Sequence, residues 1–147
     1  MDRPLTKWYC DVCGERIESV QDGYVVWKNE PGYVFKIIHQ RRCDQRREYP
    51  ASKALEEFLG PEGLTYLLSK LSIGPIAQNG EKHQVSRLPD LDEYVDFTRR
   101  VQIPYYEEAR KLFGTQSIQD DFYDANEHMP YWPDRLERMI SSYGDDE

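Results

Sequence analysis

The three cysteines of this 147-residue chain lie close together in its first third, and their spacing constrains the fold more than any other feature. Cys10 and Cys13 form a Cys-x-x-Cys motif, and Gly14 follows it as a small residue suited to a tight turn. His39 follows Cys13 after 26 positions, and Cys43 lies four positions beyond His39. The four side chains therefore form two pairs of candidate metal ligands, separated by one intervening segment.

Thiolate and imidazole groups from two distant pairs meet the needs of zinc, which takes four soft or borderline ligands. We predict a closed Cys3His site in which zinc is structural, because four protein ligands leave no position for water. Its ligands are Cys10, Cys13, His39 and Cys43. Three alternatives stay open at this point: a redox-active Cys-x-x-Cys pair, buried thiols without metal, and a fourth ligand other than His39.

The segment between the two ligand pairs has the pattern of a β-hairpin. Two runs rich in β-branched and aromatic residues, 24–27 and 33–38, predict strands. Pro31 and Gly32 between them suit the two central positions of a type II turn. The hairpin returns His39 to the Cys-x-x-Cys turn, and residues 41–48 predict a short helical turn that carries Cys43.

This order of a cysteine turn, a hairpin and a ligand pair at a helix start resembles a treble-clef zinc finger over residues 8–48. The ligand spacing is similar to that of LIM-type and poly(ADP-ribose)-polymerase-type fingers, although three residues rather than two separate His39 from Cys43. The resemblance implies a small module stapled by a structural zinc ion. It covers no other part of the chain.

Residues 51–147 have the periodicity of helices. Ser52 is placed as the N-cap of a helix over 51–59 that Gly60 ends, and Pro61 suits the start of the next helix. Apolar residues at helical spacing predict a core-facing stripe on each later helix. The four stripes are Leu64, Leu67, Leu68 and Leu71; Leu91, Tyr94, Val95 and Thr98; Tyr105, Ala109, Leu112 and Phe113; and Leu136, Met139, Ile140 and Tyr143.

The fold class that follows is α+β, with two parts. We predict a zinc-stapled β-hairpin module over residues 1–50, packed on a helical module over residues 51–147. No apolar run approaches the roughly 20 residues of a membrane span, and the first ten residues lack the apolar stretch of a signal peptide. We therefore expect a protein of a reducing compartment, the cytoplasm, without membrane contact.

The charge is unevenly distributed. Its formal value of −8 argues against a general nucleic-acid coat, but residues 1–50 hold nine basic and eight acidic residues, whereas 51–147 hold ten and nineteen. A basic strip surrounds the second ligand pair and consists of Lys36, Arg41, Arg42, Arg46 and Arg47. Its side chains are candidates for phosphate contacts. The alternative is a solvated strip whose cations offset the negative charge of a zinc–thiolate centre.

Catalytic motifs are harder to find. The patterns HExxH and GxSxG, the P-loop and the zinc-deaminase signature do not occur in the sequence. An acidic cluster over Asp120–His128 would place several carboxylates and one imidazole on one face if the segment were helical, but a solvated acidic segment is the favoured alternative. An enzyme is therefore not favoured.

Two functions remain. We expect a zinc-binding adaptor or regulatory protein that acts through protein–protein contacts. The alternative is a nucleic-acid-binding regulator that uses the basic strip.

Overall fold

The computed structural model describes residues 7–28, 34–43, 49–71 and 91–144. Within them lie two antiparallel sheets and five α-helices, which confirms the predicted α+β class. The chain divides into a first unit within Thr6–Gln102 and a second unit within Ile103–Glu147. None of the helices in the described ranges has the length and apolar character needed to cross a membrane.

The first unit contains a two-stranded and a three-stranded sheet. In chain order, its strands are β1 (Trp8–Tyr9), β2 (Arg16–Ile17), β3 (Gly23–Lys28), β4 (Val34–His39) and β5 (Ala51–Ala54). Strand β1 pairs with β2, and β3 lies between β4 and β5, with every pairing antiparallel. A 3₁₀ helix at Val20–Asp22 precedes β3, and another at Leu55–Phe58 follows β5.

The hairpin predicted between the ligand pairs is confirmed by β3 and β4. Their register runs from Gly23 opposite His39 to Lys28 opposite Val34. The centre of the hairpin is fully buried, at Val25 and Val26 on β3 and at Ile37 and Ile38 on β4. Burial of these β-branched side chains stabilises the pairing. The predicted turn at 29–32 lies outside the described residues.

The helix predicted over residues 51–59 is wrong for its first half, whereas Leu55–Phe58 forms a 3₁₀ helix. Ala51–Ala54 is strand β5, in which Ser52 lies opposite Val26 rather than capping a helix. A tertiary contact explains the difference. Without β5, one edge of β3 would have unpaired backbone N–H and C=O groups, and pairing them with β5 stabilises this segment more than its weak helix propensity does. A division of the chain at residue 50 stays a prediction, although β5 begins one residue later and belongs to the first unit.

Two α-helices complete the first unit, α1 (Gly60–Ser69) and α2 (Leu91–Gln102). Helix α1 has Pro61 in its first turn, as predicted. Of its predicted stripe only Leu67 is buried; the other three leucines, Leu64, Leu68 and Leu71, are exposed. A polar loop over 73–87, which the Gly-Pro and Asn-Gly pairs in it predict, lies outside the described part of the chain.

The buried face of α2 differs from the predicted one. Leu91 is exposed, whereas Tyr94, Phe97, Arg100 and Val101 are buried. The ring of Phe97 stacks on that of Phe35 of β4, with centroids 4.8 Å apart and planes 14° from parallel. Aromatic packing against β4 therefore sets the rotation of α2, and it places an arginine on the buried face.

The second unit is helical, with α3 (Tyr106–Arg110), α4 (Gln116–Asp121) and α5 (Pro133–Tyr143). Helix α5 begins at Pro133, a residue type that suits the first helical position, and two members of its predicted stripe, Leu136 and Met139, are buried. The core of this unit consists of Tyr106, Ala109, Ile118, Leu136 and Met139, and partly buried side chains of the two predicted stripes pack against it.

Gly63 tests the packing of α1 against the preceding 3₁₀ helix. A Cβ atom on this buried glycine would overlap the backbone carbon and oxygen of Phe58. We expect Gly63→Ala to lower the free energy of unfolding by about 1–3 kcal/mol, although alanine favours helices. Denaturant unfolding measures this change. The matched control is Thr65→Ala at an exposed position of α1, with an expected change below about 0.5 kcal/mol; equal stability of both variants would contradict the close contact.

Candidate metal centre

The Cys-x-x-Cys segment forms the tight turn between β1 and β2. The Cys10 N–H donates to the Glu15 carbonyl and the Gly14 N–H donates to the Cys10 carbonyl, both at 2.9 Å. Gly14 has a φ of +77°, a left-handed conformation that glycine adopts without strain. The N–H groups of Val12 and Cys13 lie 3.3 and 3.5 Å from the Cys10 Sγ. Both N–H groups point at the sulfur, as backbone donors do around the sulfur of a metal-binding cysteine.

The second ligand pair meets this turn at the end of β4. The His39 Nδ1 lies 3.4 Å from the Cys13 Sγ and 3.7 Å from the Cys43 Sγ. The one ligand atom that each of the four predicted residues offers lies within 4.8 Å of the other three. Ligand atoms on a tetrahedral zinc ion are about 3.5–3.8 Å apart at ordinary bond lengths, so a contraction of about 1 Å or less completes the site. The residues therefore fit one metal ion.

The orientation of the His39 ring suits metal binding through Nδ1. Its Nε2 lies 3.1 Å from the backbone carbonyl oxygen of Arg16. Because a carbonyl only accepts hydrogen bonds, this contact favours the tautomer with a proton on Nε2. The Arg42 Nη2, which only donates, also lies 3.2 Å from Nε2 and 3.4 Å from Nδ1. In the favoured tautomer the lone pair of Nδ1 faces the thiols.

The three cysteines differ in exposure and acidity. Cys10 and Cys43 are buried, whereas Cys13 is exposed. A backbone hydrogen bond with Glu15, with a smaller contribution from the Arg42 guanidinium, lowers the pKa of Cys13 to about 7. Burial is the main cause that raises the pKa of Cys43 to about 11, and its hydrogen bonds with the other two thiols raise it further. A metal ion bound here would therefore have to displace the proton of the Cys43 thiol.

Arg42 lies beside the exposed edge of the cluster. Its Nη2 donates to the Glu15 carboxylate at 2.9 Å and lies 3.5 Å from the Cys13 Sγ. Three thiolates, one neutral imidazole and a divalent ion carry a net charge near −1, which a neighbouring cation offsets. This placement matches the alternative interpretation of the basic strip, in which its cations balance the metal centre.

The structure describes only part of the rest of the basic strip. Lys36 lies half-buried on β4, and Arg46 and Arg47 lie outside the described residues. Arg41 and Arg42 border an open groove of about 600 Å³ next to His39. Carboxylates also line this groove, from Glu15, Glu18 and Asp22. With Arg16, three cations share this groove with three carboxylates, and phosphate binding by the strip stays a prediction.

The acidic cluster over Asp120–His128 does not form the helix face considered from the sequence. Helix α4 ends at Asp121, and the Asn126 Oδ1 accepts the N–H groups of His128 and Met129, which starts a separate 3₁₀ turn at Met129–Tyr131. Among the residues that the structure describes, the Cys3His set is the one group of three or more such ligands placed to hold a metal ion.

Two residues that support the site were missed by the sequence interpretation. Asp11 lies inside the Cys-x-x-Cys motif, and its carboxylate accepts a hydrogen bond from Arg100 of α2 at 2.9 Å. The sequence contains a sign of each residue's role. An acidic residue lies between the two cysteines, and an arginine lies on the apolar face of α2. Nothing local joins them, however, because 89 positions separate the two residues.

Comparison of the chain with models of protein families, with curated proteins and with solved structures found no match in any of the three. The chemistry and geometry of the site are therefore the basis for the functional conclusion.

Zinc binding should depend strongly on pH. Near pH 7 the Cys43 thiol, with a pKa of about 11, holds its proton, and Cys13, with a pKa of about 7, is about half ionised. Zinc must displace these protons, so acidification from about pH 8 to about pH 6 should weaken binding by about tenfold or more per pH unit. Competition with a chromophoric chelator at several pH values measures the affinity. An affinity independent of pH would contradict ligation by these thiols.

Proposed function

We propose that this chain is a zinc protein in which the ion has a structural role, and that it acts through protein–protein contacts. The observation that carries the metal assignment is the convergence of three thiols and one imidazole within 4.8 Å. Sulfur and nitrogen ligands favour zinc over magnesium or calcium, which prefer oxygen. Four protein ligands also close the site to water, as in structural rather than catalytic zinc centres.

A treble-clef-like arrangement is the finer form of this proposal. It is supported by the order of the elements, with a cysteine turn between β1 and β2, the β3–β4 hairpin, and Cys43 in the turn after β4. The short helical turn predicted over 41–48, which carries Cys43, stays a prediction, because 44–48 lie outside the described residues. A reducing compartment such as the cytoplasm suits the proposed site, since zinc-binding thiols must remain unoxidised.

The zinc proposal predicts about one zinc ion per chain in protein purified under reducing conditions without chelator. His39→Ala and Cys13→Ser should lose the ion and lower the stability of the first unit, because metal-binding energy contributes to folding. His128→Ala is the matched control, since this histidine lies in the second unit and outside the cluster. Elemental analysis and thermal unfolding with and without chelator measure the two effects.

The outcomes separate the alternatives left open by the sequence. Zinc retained by His39→Ala would show that another group is the fourth ligand. Wild-type protein without zinc, prepared in this way, would overturn the metal assignment.

The role in protein–protein contacts is supported by an exposed apolar stripe on α1 and the turn that follows it, where Leu71 lies. Leu64, Leu68 and Leu71 are 40, 54 and 37% exposed and follow one another at helical spacing. Contiguous exposed leucines of this kind are common at interaction sites. A partner for such a surface would offer a complementary apolar groove.

A charge introduced into this stripe should disrupt partner binding. We expect Leu68→Lys to abolish recovery of a protein that co-purifies with the full-length chain, because lysine cannot be desolvated in an apolar contact without a large cost. Thr65→Lys on the same helix is the matched control, as Thr65 is exposed and lies outside the stripe. Quantitative mass spectrometry of co-purified proteins measures recovery. Equal recovery with both variants would argue against this surface.

A further inference from the structure

Arg100 of α2 is a buried cation within reach of the metal-binding turn. Only 4% of this residue is exposed, and its Nη1 lies 2.9 Å from the Asp11 Oδ2, in a side-chain pair that is itself mostly buried. Its Nη2 donates to the Tyr9 carbonyl at 3.1 Å, directly before the first ligand. A buried arginine requires such partners, so its guanidinium is held against the turn that carries Cys10 and Cys13.

Asp11 connects this arginine to both ligand-bearing segments. The Asp11 N–H donates to the Ile37 carbonyl at 2.7 Å, and the Ile37 N–H donates to the Asp11 Oδ2 at 2.8 Å. Ile37 lies on β4, two positions before His39. One carboxylate oxygen therefore accepts from Arg100 and from the strand that delivers the second ligand pair.

The backbone of α2 is fixed at the same point. The indole Nε1 of the fully buried Trp8 donates to the Arg100 carbonyl at 2.9 Å. Trp8 belongs to β1, which leads into the Cys-x-x-Cys turn. Trp8 thus holds the backbone of Arg100, while the Arg100 side chain holds the Cys-x-x-Cys turn. The two contacts together limit the motion of the turn and of α2.

We propose that Arg100 is a positioning residue for the metal centre, which keeps the Cys10–Cys13 turn and β4 in the ligating arrangement through Asp11. This inference rests on the proposed zinc function. Its positive charge also compensates Asp11 next to a zinc–thiolate centre that is itself negative. Because coupling between two equilibria is reciprocal, metal binding in turn stabilises α2 on the sheet.

The test measures metal affinity in full-length variants. Arg100→Met should weaken Zn²⁺ binding by about 10–100-fold, the usual effect of losing a group that orients metal ligands. Arg100→Lys should recover part of this loss, because an ammonium group still donates to Asp11 at one point. Asp11→Asn should also weaken binding, since it removes the charge that holds Arg100. Arg99→Met is the matched control, because Arg99 is the neighbouring arginine on α2, whereas the Asp11 carboxylate pairs with Arg100.

Co²⁺ supplies a readout that general destabilisation would not change. In each variant that is folded by circular dichroism, the thiolate-to-cobalt charge-transfer and d–d bands report ligand geometry directly. We expect altered bands in Arg100→Met and wild-type bands in Arg99→Met. Wild-type affinity and bands in folded Arg100→Met would overturn the inference while leaving the zinc function intact.

The remaining outcomes are equally decisive. Wild-type protein that binds neither Zn²⁺ nor Co²⁺ would overturn the proposed zinc function itself. Should Arg100→Met fail to fold, Arg100→Lys and Asp11→Asn decide the question by the same two measurements, and wild-type values in both would overturn the positioning role.

Discussion

The register between β3 and β4 is the constraint on which the metal centre depends. His39 lies at the end of β4, opposite Gly23, and only this register presents its ring to the Cys-x-x-Cys turn. Because side chains alternate across a strand, a slip by one residue would move the ring to the other face of the sheet. The same slip would move Ile37 and Ile38 out of the fully buried sites that they fill on opposite faces of the strand. Hydrophobic burial therefore fixes the position of a polar ligand.

Local patterns in the sequence were sufficient for the parts of the molecule that local forces determine. The ligand spacing, the two apolar strands and the proline at each of two helix starts are short-range signals, and the structure contains all of them. The Cys-x-x-Cys turn is likewise set by its own hydrogen bonds and by Gly14. These features could be predicted because few distant residues compete for them.

The features that could not be predicted depend on distant partners. Strand β5 forms where a helix was expected because β3 supplies its backbone hydrogen bonds. The residues next to Ser52 in the sequence give no indication of this distant partner strand. The rotation of α2 depends on the stacking of Phe97 against Phe35, which lies far away in the chain. The exposed leucines of α1 satisfied the helical pattern, but a pattern indicates which side chains share a face and not what covers that face.

The long sequence separation between Asp11 and Arg100 has a consequence for the order in which the protein is made. A growing chain leaves the ribosome from its amino terminus, so all four candidate ligands emerge well before Arg100 does. The nascent cluster can meet metal while the turn still lacks its buried cation. The affinity for zinc would then be lower during synthesis than in the finished protein. Completion of α2 would turn a readily exchanged ion into a retained one.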